Sequence, residues 1–398
     1  MHVVLLGAGV SIHCIKIANG LVQRGHRVSL VTLPSHAAPE GSYDPMVEQH
    51  LLPRDGYFFQ GRALKKIFRE VSGDVVYAHY ATGYGTILRQ SGIHPSVLAV
   101  WGSDIYDFPG KSPAHRWLVR DNLRFPDALF STSYVMAEAA QKILPCSLRI
   151  TPFGVDMQRF SPETVLAVEG QDAHGAMGLP PEVQAQLPAE DGRIHIGFIK
   201  GLSEKYGLRY LMEAVARFMD SEAEGIPFDL CLDVYGRGDG EPALRQLSKD
   251  LKIEDRVIFH GAISNAFVPE VLHRVQLFCA PSTLDSESFG VSAVEAMACG
   301  VPAIVSDVDG FREVTAEGTF AVMVPRKNAE ALETAIRLLL NEPQKAQEMA
   351  KQARDHVAAL YDWNENIQNI AEGLQCVVNG GVWLRDEDFH ARRVSERP

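Results

Sequence analysis

The stretch Leu284–Asp307, LDSESFGVSAVEAMACGVPAIVSD, decides the fold of this 398-residue chain. Its centre, Phe289–Cys299, is apolar or small on every side except at Glu295, a pattern that predicts a buried helix with one carboxylate. Ser286 or Ser288 would cap the start of this helix. Because a buried carboxylate is costly unless partners compensate it, Glu295 needs an explanation beyond helix packing.

A second carboxylate lies at the predicted mouth of the same helix. Glu287 precedes Glu295 by eight positions, and a helix over 287–295 would separate the two by about 12 Å along its axis. The backbone N–H groups of Ser288–Val291 and the helix dipole favour an anion there, and Gly290 would leave space for it. These features suit a sugar phosphate, although a buried helix whose Glu295 pairs with an arginine explains the spacing equally well.

The complete string resembles the donor-site signature of retaining family-4 glycosyltransferases of the GT-B fold, in which seven residues separate two glutamates. The resemblance covers most of residues 1–375 and is weakest over 35–60 and 163–192. It implies an α/β fold with two Rossmann-like, doubly wound parallel-sheet domains facing a cleft. The expected division is an acceptor-binding domain over 1–160, completed by a crossover helix over 363–385, and a nucleotide-sugar donor-binding domain over 192–362.

Length and composition agree with two ordinary globular domains, because the chain has 398 residues, 46% hydrophobic and 22% charged. The net charge of −12 argues against a nucleic-acid partner. Residues 1–155 contain 15 Lys/Arg and 11 Asp/Glu, a net charge of +4, which leaves −16 for the remainder. The less acidic front half is compatible with an anionic acceptor or a membrane surface.

Targeting and cysteine patterns give further expectations. The sequence shows no apolar run of 18 or more residues and no charged region before Val3–Leu6, so we expect a cytoplasmic protein. Six scattered cysteines form no CxxC or Cys/His cluster, so neither zinc nor a disulfide framework is expected.

Strands and helices alternate in both halves of the chain. A strand over His2–Gly7, a Gly7–Gly9 turn, a helix and a second strand open a doubly wound domain, although a GxG alone also fits a simple tight turn. Residues 35–57 read as a variable loop and 163–191 as an exposed insertion or linker. The second half predicts a parallel sheet with strands at 194–199, 228–236, 256–261, 277–281 and 301–307.

The segment Arg62–Val71 predicts an amphipathic helix with a basic face, formed by Arg62, Lys65, Lys66 and Arg69. A solvated face on a packed helix is the simpler interpretation. A peripheral contact with the inner face of a membrane is the sharper one.

The resemblance assigns donor chemistry to the second domain. Lys200 and Lys205 match a family segment that faces the leaving diphosphate, where fixed cations stabilise negative charge. Most members carry arginine where Lys200 stands, which weakens the expectation of a bidentate phosphate contact. Glu287 would hold the donor sugar and Glu295 the ribose hydroxyls. Further donor-binding residues implied by the matching motifs are Gly9, Gly236, Gly238, Gly261, Ala262, Ile263, Ser288, Phe289, Gly290, Val291 and Ser292.

The acceptor side departs from the family. Many members have a histidine before glycine in the segment that reads VLAVWGSD here, and this chain has Trp101. The acceptor-side candidates are therefore His13, His79, Trp101 and Asp104. A histidine at the end of a strand is more often structural than catalytic.

The implied activity is retaining, front-face transfer of a hexosyl unit from a nucleotide sugar, with a UDP-sugar favoured, to a hydroxyl of a sugar or lipid-linked sugar acceptor. Cell-surface polysaccharide or glycolipid synthesis is the expected setting. The donor phosphate would accept the proton, so no cofactor and no metal are expected, and the DVD at Asp307–Asp309 is read as a coincidental metal motif. A sugar-nucleotide epimerase of the same fold is the alternative. A non-catalytic binding subunit is a third interpretation, suggested by Trp101 and Lys200.

Overall fold

The structure, a computed structural model, describes residues 1–162, 180–222 and 228–381. It divides into two compact units, one formed by Met1–Gly154 with the chain from Asn364 onward, the other by Val155–Trp363. Most of the predicted insertion over 163–191 lies outside the described residues, as does the charged tail from Asp386. A short helix and the buried Leu187 occupy the end of that segment, so the linker prediction is wrong there.

A seven-stranded sheet forms the centre of the first unit, and all its strands are parallel. The strands are β1 (His2–Leu6), β2 (Arg27–Thr32), β3 (Val47–Leu51), β4 (Val75–His79), β5 (Ser96–Val100), β6 (Ala128–Ser131) and β7 (Arg149–Ile150). Their order is β3-β2-β1-β4-β5-β6-β7. The prediction of a loop over 35–57 is wrong at β3, because this edge strand is mostly exposed and lacks the apolar run that marks the other strands.

Six helices connect these strands: α1 (Ile12–Gln23), α2 (Gly61–Glu70), α3 (Gly83–Ser91), α4 (Ser103–Tyr106), α5 (Pro113–Arg124) and α6 (Tyr134–Gln141). The predicted amphipathic helix is confirmed as α2, which buries Leu64 and leaves Arg62, Lys66 and Arg69 exposed. β1, β4 and β5 are buried at every position, as expected for parallel strands covered on both faces.

The second unit contains a six-stranded parallel sheet. Its strands are β8 (Ile194–Ile199), β9 (Leu230–Tyr235), β10 (Val257–Gly261), β11 (Leu277–Ala280), β12 (Ala303–Ser306) and β13 (Val322–Val324), in the order β10-β9-β8-β11-β12-β13. All five predicted strands are confirmed. The short edge strand β13 was not predicted.

Among the described residues of this unit, eight helices surround the second sheet: α7 (Pro181–Gln184), α8 (Leu208–Glu222), α9 (Glu241–Asp250), α10 (Val268–Leu272), α11 (Val291–Ala298), α12 (Asp309–Val314), α13 (Ala329–Asn341) and α14 (Pro343–Tyr361). The last helix of the described part of the chain, α15, covers Trp363–Val378, and from Asn364 it belongs to the first unit. Its Asn369 donates to the carbonyl oxygen of Ile150 at 2.9 Å, which ties the helix to β7.

The prediction of an α/β fold with two doubly wound parallel sheets is confirmed. In such sheets ligands bind beyond the carboxyl ends of the strands, so the loops that follow β1, β4, β5, β8, β9 and β11 are where site residues are expected. Among the described helices, none combines the length and the apolar character needed to cross a bilayer.

Candidate active site

The helix that carries Glu295 begins later than the sequence predicted. Gly290 is the N-cap of α11, with φ +79°, and no serine side chain caps this helix. A Cβ on Gly290 would collide with the ring of Phe311. Glycine is therefore needed for backbone shape and packing, and the expectation that Gly290 leaves ligand space is wrong. Glu287 lies in the loop before the helix, so the predicted separation along one helical axis is also wrong.

Lys200, Lys205 and Glu287, the three predicted catalytic residues, lie together. Lys200 Nζ donates to Glu287 Oε2 at 2.7 Å, and both side chains are only 10% exposed. Ser282 Oγ donates to the same oxygen at 3.3 Å. Within the described residues, Glu287 Oε1 has no hydrogen-bond partner, so this oxygen is available to a hydroxyl group. Lys205 Nζ donates to the carbonyl oxygen of Ser286 at 3.0 Å.

Sheet topology explains this convergence. β8 and β11 are neighbours, so the loops that follow them meet at one edge of the sheet. Thr283 N donates to the carbonyl oxygen of Lys205 at 2.8 Å, which joins the two loops. Lys200 Nζ also lies over the rings of Tyr206 and Phe311, at 5.5 and 5.8 Å from their centroids, where cation–π attraction restrains it.

The glycine turn after β9 packs directly on the segment that carries Lys200. Gly236 has φ +148°, and a Cβ there would collide with the carbonyl oxygen of Lys200. A Cβ on Gly238 would collide with the carbonyl oxygen of Leu202. Gly236 N donates to Gly261 O at 2.8 Å, and a Cβ on Gly261 would meet nothing within 4 Å. Open space therefore lies beside Gly261, while Gly236 and Gly238 meet a structural requirement.

Glu295 lies inside α11 and is 3% exposed. Its Oε1 accepts a hydrogen bond from Asn265 Nδ2 at 3.0 Å. The carbonyl oxygen of Asn265 in turn accepts from Arg159. Glu295 is therefore a buried carboxylate with at least one polar partner, as a buried charge requires. Its function at the ribose stays a prediction.

Three of the four acceptor-side candidates meet in the first unit. The His13 ring stacks on Phe153 at a centroid distance of 3.8 Å and contacts the edge of Trp101 at 5.6 Å. Trp101 lies 4.3 Å from the His79 ring. Phe153, which the sequence reading missed, thus completes an aromatic cluster with His13, His79 and Trp101.

Both histidines of this aromatic cluster have a lowered pKa, although His79 is buried and His13 is partly exposed. Burial lowers the pKa of His79 to about 3, and burial, with a smaller contribution from Lys16, lowers the pKa of His13 to about 3. His79 Nδ1 lies 3.2 Å from Cys14 Sγ, whereas His79 Nε2 is buried without a hydrogen-bond partner among the described residues.

Asp104, the fourth acceptor-side candidate, supports the backbone. It is fully buried, and its carboxylate accepts N–H bonds from Ala81 at 2.7 Å, Gly102 at 2.8 Å and Trp101 at 3.2 Å. Burial raises the pKa of Asp104, although these hydrogen bonds oppose the shift. Asp104 therefore positions the turn that carries Trp101.

Gly9 also makes its polar contacts within the first unit. Its N–H donates to Thr32 Oγ1 at 3.1 Å, and its carbonyl oxygen accepts from Tyr43 at 2.7 Å. A Cβ on Gly9 would approach the carbonyl oxygen of His36 to 2.8 Å. In this conformation Gly9 thus permits close backbone packing, and its N–H is already engaged.

Comparison with known families agrees with the two-unit architecture. The family described as "Glycosyl transferases group 1" matches residues 181–356, and "Glycosyl transferase 4-like" matches residues 2–133. Each of the two units therefore matches one glycosyltransferase domain family. A curated relative, phosphatidyl-myo-inositol mannosyltransferase of Mycolicibacterium smegmatis, is 33% identical over 175 residues, which cover 44% of this chain and 42% of that protein. The matched part of this chain spans about half the length of the first curated relatives.

Solved structures share the GT-B fold at low identity. Sucrose-phosphate synthase from Thermosynechococcus elongatus has a TM-score of 0.74 at 20% identity and covers 96% of this chain and 100% of that one. HepE from Anabaena, in complex with UDP, has a TM-score of 0.71 at 18% identity, and the match covers 94% of this chain and 100% of the HepE chain. At these identities the likeness concerns the fold alone.

A buried polar cluster in the second unit of this GT-B chain was not anticipated. Asp233 contacts His195 at 2.6 Å and His260 at 2.7 Å, and Asp191 lies 3.2 Å from the other His195 nitrogen. Cys231 has its Sγ close to this group. Cysteine spacing did not reveal the cluster, because its members come from separate strands. The available signal was Asp233 itself, an acid inside the buried strand LCLDVY.

Asp307, the first residue of the DVD segment, binds an arginine side chain. Asp307 Oδ1 accepts from Arg326 Nε at 3.1 Å, and Arg326 also pairs with Asp285 at 3.0 Å. Burial opposes ionisation of Asp307, but hydrogen bonds from Arg326 outweigh it and hold its pKa below the usual range. These contacts brace the loop that precedes Glu287.

Proposed function

We propose that this GT-B chain is a retaining glycosyltransferase of family 4, which moves a hexosyl unit from a nucleotide sugar, a UDP-sugar first among them, to a hydroxyl acceptor. The acceptor would be a sugar or lipid-linked sugar in cell-surface polysaccharide or glycolipid synthesis. The observation that carries the proposal is the contact of Lys200 with Glu287, with Lys205 beside it.

Charge at this group supports departure of a nucleoside diphosphate. The two lysines and Glu287 together carry a net positive charge, and departure of the diphosphate concentrates negative charge that such fixed cations stabilise. Because Glu287 Oε2 already accepts from Lys200 and Ser282, its position is restrained. Glu287 Oε1 then accepts from a hydroxyl of the donor sugar.

The transfer step forms one bond and breaks another on the same face of the sugar. The acceptor oxygen bonds to the anomeric carbon while the bond from that carbon to the phosphate oxygen breaks, and the acceptor proton passes to the departing diphosphate. Configuration is retained because the acceptor attacks on the face from which the diphosphate departs, and no protein nucleophile takes part. Lys200 and Lys205 supply the positive charge, and the route needs neither a metal nor a cofactor.

Two relatives support particular substrates. The Mycolicibacterium protein is by its name a mannosyltransferase of phosphatidyl-myo-inositol, which favours a lipid-linked acceptor for this chain. The HepE structure, which shares the fold, contains UDP, so UDP-sugars are the first donors to test.

The test begins with thermal shifts of the purified chain with UDP, GDP and ADP sugars, because a ligand that binds the native state raises its melting temperature. The stabilising donor is then incubated with and without sugar acceptors, with EDTA present. A product whose anomeric configuration matches the donor supports the proposal. Release of an epimerised sugar and UDP without an acceptor would establish the epimerase instead, and nucleotide binding without any turnover would establish a binding subunit.

We also propose a peripheral membrane contact through α2 and the loop before it. Phe58 and Phe59 are 56% and 83% exposed, and the exposed cations Arg62, Lys66 and Arg69 follow within ten residues. Exposed aromatic rings beside cations suit the headgroup region of an anionic bilayer. A lipid-linked acceptor would be reached from such a surface.

Sedimentation with vesicles tests this contact. The wild type should bind vesicles that contain phosphatidylglycerol and lose most of that binding in a Phe58→Ser, Phe59→Ser double variant. The matched control is Leu338→Ser, which removes a 46%-exposed apolar side chain from the second unit. Equal binding of both variants would contradict the assigned surface.

A further inference from the structure

The buried polar cluster of the second unit links three adjacent strands. β8 contributes His195, β9 contributes Asp233 and β10 contributes His260. His195 Nδ1 lies 2.6 Å from one carboxylate oxygen of Asp233, and His260 Nε2 lies 2.7 Å from the other. Asp233 is fully buried, so both of its oxygens depend on these two imidazoles.

His195 is the cation of this cluster. Its Nδ1 faces Asp233 and its Nε2 faces Asp191 at 3.2 Å, so each ring nitrogen has a carboxylate acceptor. The hydrogen bond to Asp233, helped by Cys231 and Asp191, raises the pKa of His195 to about 10 against the effect of burial. Burial opposes ionisation of Asp233, but the hydrogen bonds from His195 and His260 outweigh it and hold its pKa below the usual range.

A metal ion is the competing explanation for the same residues. The ligand atoms of His195, Cys231 and Asp233 lie within 4.8 Å of one another, and these residue types bind zinc. A metal-binding histidine, however, must offer a nitrogen without a proton. Both nitrogens of His195 lie at hydrogen-bonding distance from carboxylates, which favours protons in those positions.

Backbone contacts connect this cluster to Gly236 and Gly261, which the family resemblance implies bind the donor. His260 stacks on Tyr235 at a centroid distance of 4.5 Å with the rings 5° from parallel. The residues that follow them are also joined, because Gly236 N donates to Gly261 O at 2.8 Å. Lys200 N donates to the carbonyl oxygen of Tyr235 at 3.0 Å. The ends of β8, β9 and β10 therefore form one connected unit above the cluster.

We infer that Asp233, His195 and His260 are positioning residues for nucleotide binding: the buried carboxylate, held between two imidazoles, sets the backbone at Gly236 and Gly261. The inference depends on the proposed function, a transfer from a nucleotide sugar, and on the family resemblance, which implies that Gly236 and Gly261 bind the donor. Loss of the Asp233–His260 hydrogen bond releases the end of β10, so the nucleotide binds less tightly while the reacting groups stay unchanged.

The test compares three variants by their dissociation constants for free UDP, and for GDP and ADP, and by KM and kcat for the donor. His260→Leu removes the donor to Asp233 and should weaken nucleotide binding and raise KM about tenfold, with kcat nearly unchanged. His260→Gln keeps an N–H group at a similar reach and should restore binding. Asp255→Asn, which changes a carboxylate that is 72% exposed, is the matched control and should bind as wild type does.

Separate outcomes distinguish the two proposals. Nucleotide binding in the wild type without sugar transfer would overturn the proposed function. The positioning inference would then be decided by comparing the dissociation constants of the wild type and the His260 variants. Equal nucleotide binding in wild type and His260→Leu, or failure of His260→Gln to restore it in a folded protein, would overturn the inference. One equivalent of zinc in the wild type, absent from Asp233→Asn, would also overturn it and establish a metal site.

Discussion

The two units share a parallel α/β architecture but differ in the chemistry at the carboxyl ends of their strands. In the first unit, an aromatic cluster lies there, in which Trp101 contacts the neutral His79. In the second unit, a buried ion pair joins Lys200 to Glu287. The same scaffold thus carries two different sites, because the loops after the strands supply the chemistry and the sheet supplies only their positions.

Two buried carboxylates show the difference most directly. Asp104 in the first unit accepts three backbone N–H bonds, two from its own turn and one from Ala81 in the loop after β4. Glu287 in the second unit accepts two side-chain donors on Oε2 and keeps Oε1 without a partner among the described residues. A carboxylate fully engaged by the backbone supports the fold, whereas one with an unengaged oxygen is suited to a ligand.

The largest expected effect is on sugar transfer in Glu287→Gln. This change keeps the shape of the side chain but removes the charge that pairs with Lys200, so we expect the transfer rate to fall roughly 100-fold or more. Steady-state kinetics with the stabilising donor measure the effect. Glu254→Gln, which changes an exposed glutamate of the same unit, is the control. Unchanged turnover in Glu287→Gln would remove the distinction between the two units.

Gly290→Ala should give the largest loss of stability. Alanine at φ +79° is strained, and its Cβ collides with Phe311, so we expect a loss of about 2–4 kcal/mol in the free energy of unfolding. Gly261→Ala is a matched control, because Gly261 has the same φ and open space around it. It should lose only about 1 kcal/mol in denaturant unfolding. Equal losses would show that Phe311 does not limit this position.

Asp104→Asn should destabilise the first unit by about 1–3 kcal/mol, because an amide replaces one of the oxygens that accept buried N–H groups. Thermal unfolding measures this loss. The two variants should differ in what they lose. At a temperature where both are folded, Asp104→Asn should keep most of its transfer rate, whereas Glu287→Gln should lose most of it. A variant of normal stability with no transfer would assign Asp104 to the acceptor instead.

One buried histidine in each unit should make the free energy of unfolding depend on pH, and the two contributions should have opposite signs, each at most about 1.4 kcal/mol per pH unit. The pKa of His195 rises to about 10 on folding, so its stabilisation is present below about pH 6.5 and is lost as pH rises towards 10. The pKa of His79 falls to about 3, so its contribution is present above about pH 6.5 and is lost on acidification.

Unfolding free energies of wild type, His195→Gln and His79→Gln between pH 4 and pH 10 check these signs. The difference between wild type and His195→Gln should shrink above neutral pH. The difference between wild type and His79→Gln should shrink below it. Parallel curves for all three proteins would contradict the assigned charge states.

Much of the fold followed from sequence pattern. Every strand of the second sheet except the three-residue β13 could be predicted, because buried parallel strands read as uninterrupted apolar runs. β3 could not, because an edge strand is largely exposed and its sequence, VEQHL, resembles a loop. The start of α11 was also misplaced, since two serines suited the cap and the strain-tolerant Gly290 took it instead.

The sequence by itself determined the two α/β units, the residue types in the loops after β8 and β11, and the resemblance that placed Lys200, Lys205 and Glu287 in one site. Only the tertiary structure decided which polar groups are engaged, because hydrogen-bond partners come from strands and loops far apart in the chain. It made Asp104 a backbone support and joined His195 to His260 through Asp233. Burial then set their charges, since the cost of removing an ion from water depends on the neighbours that replace the water.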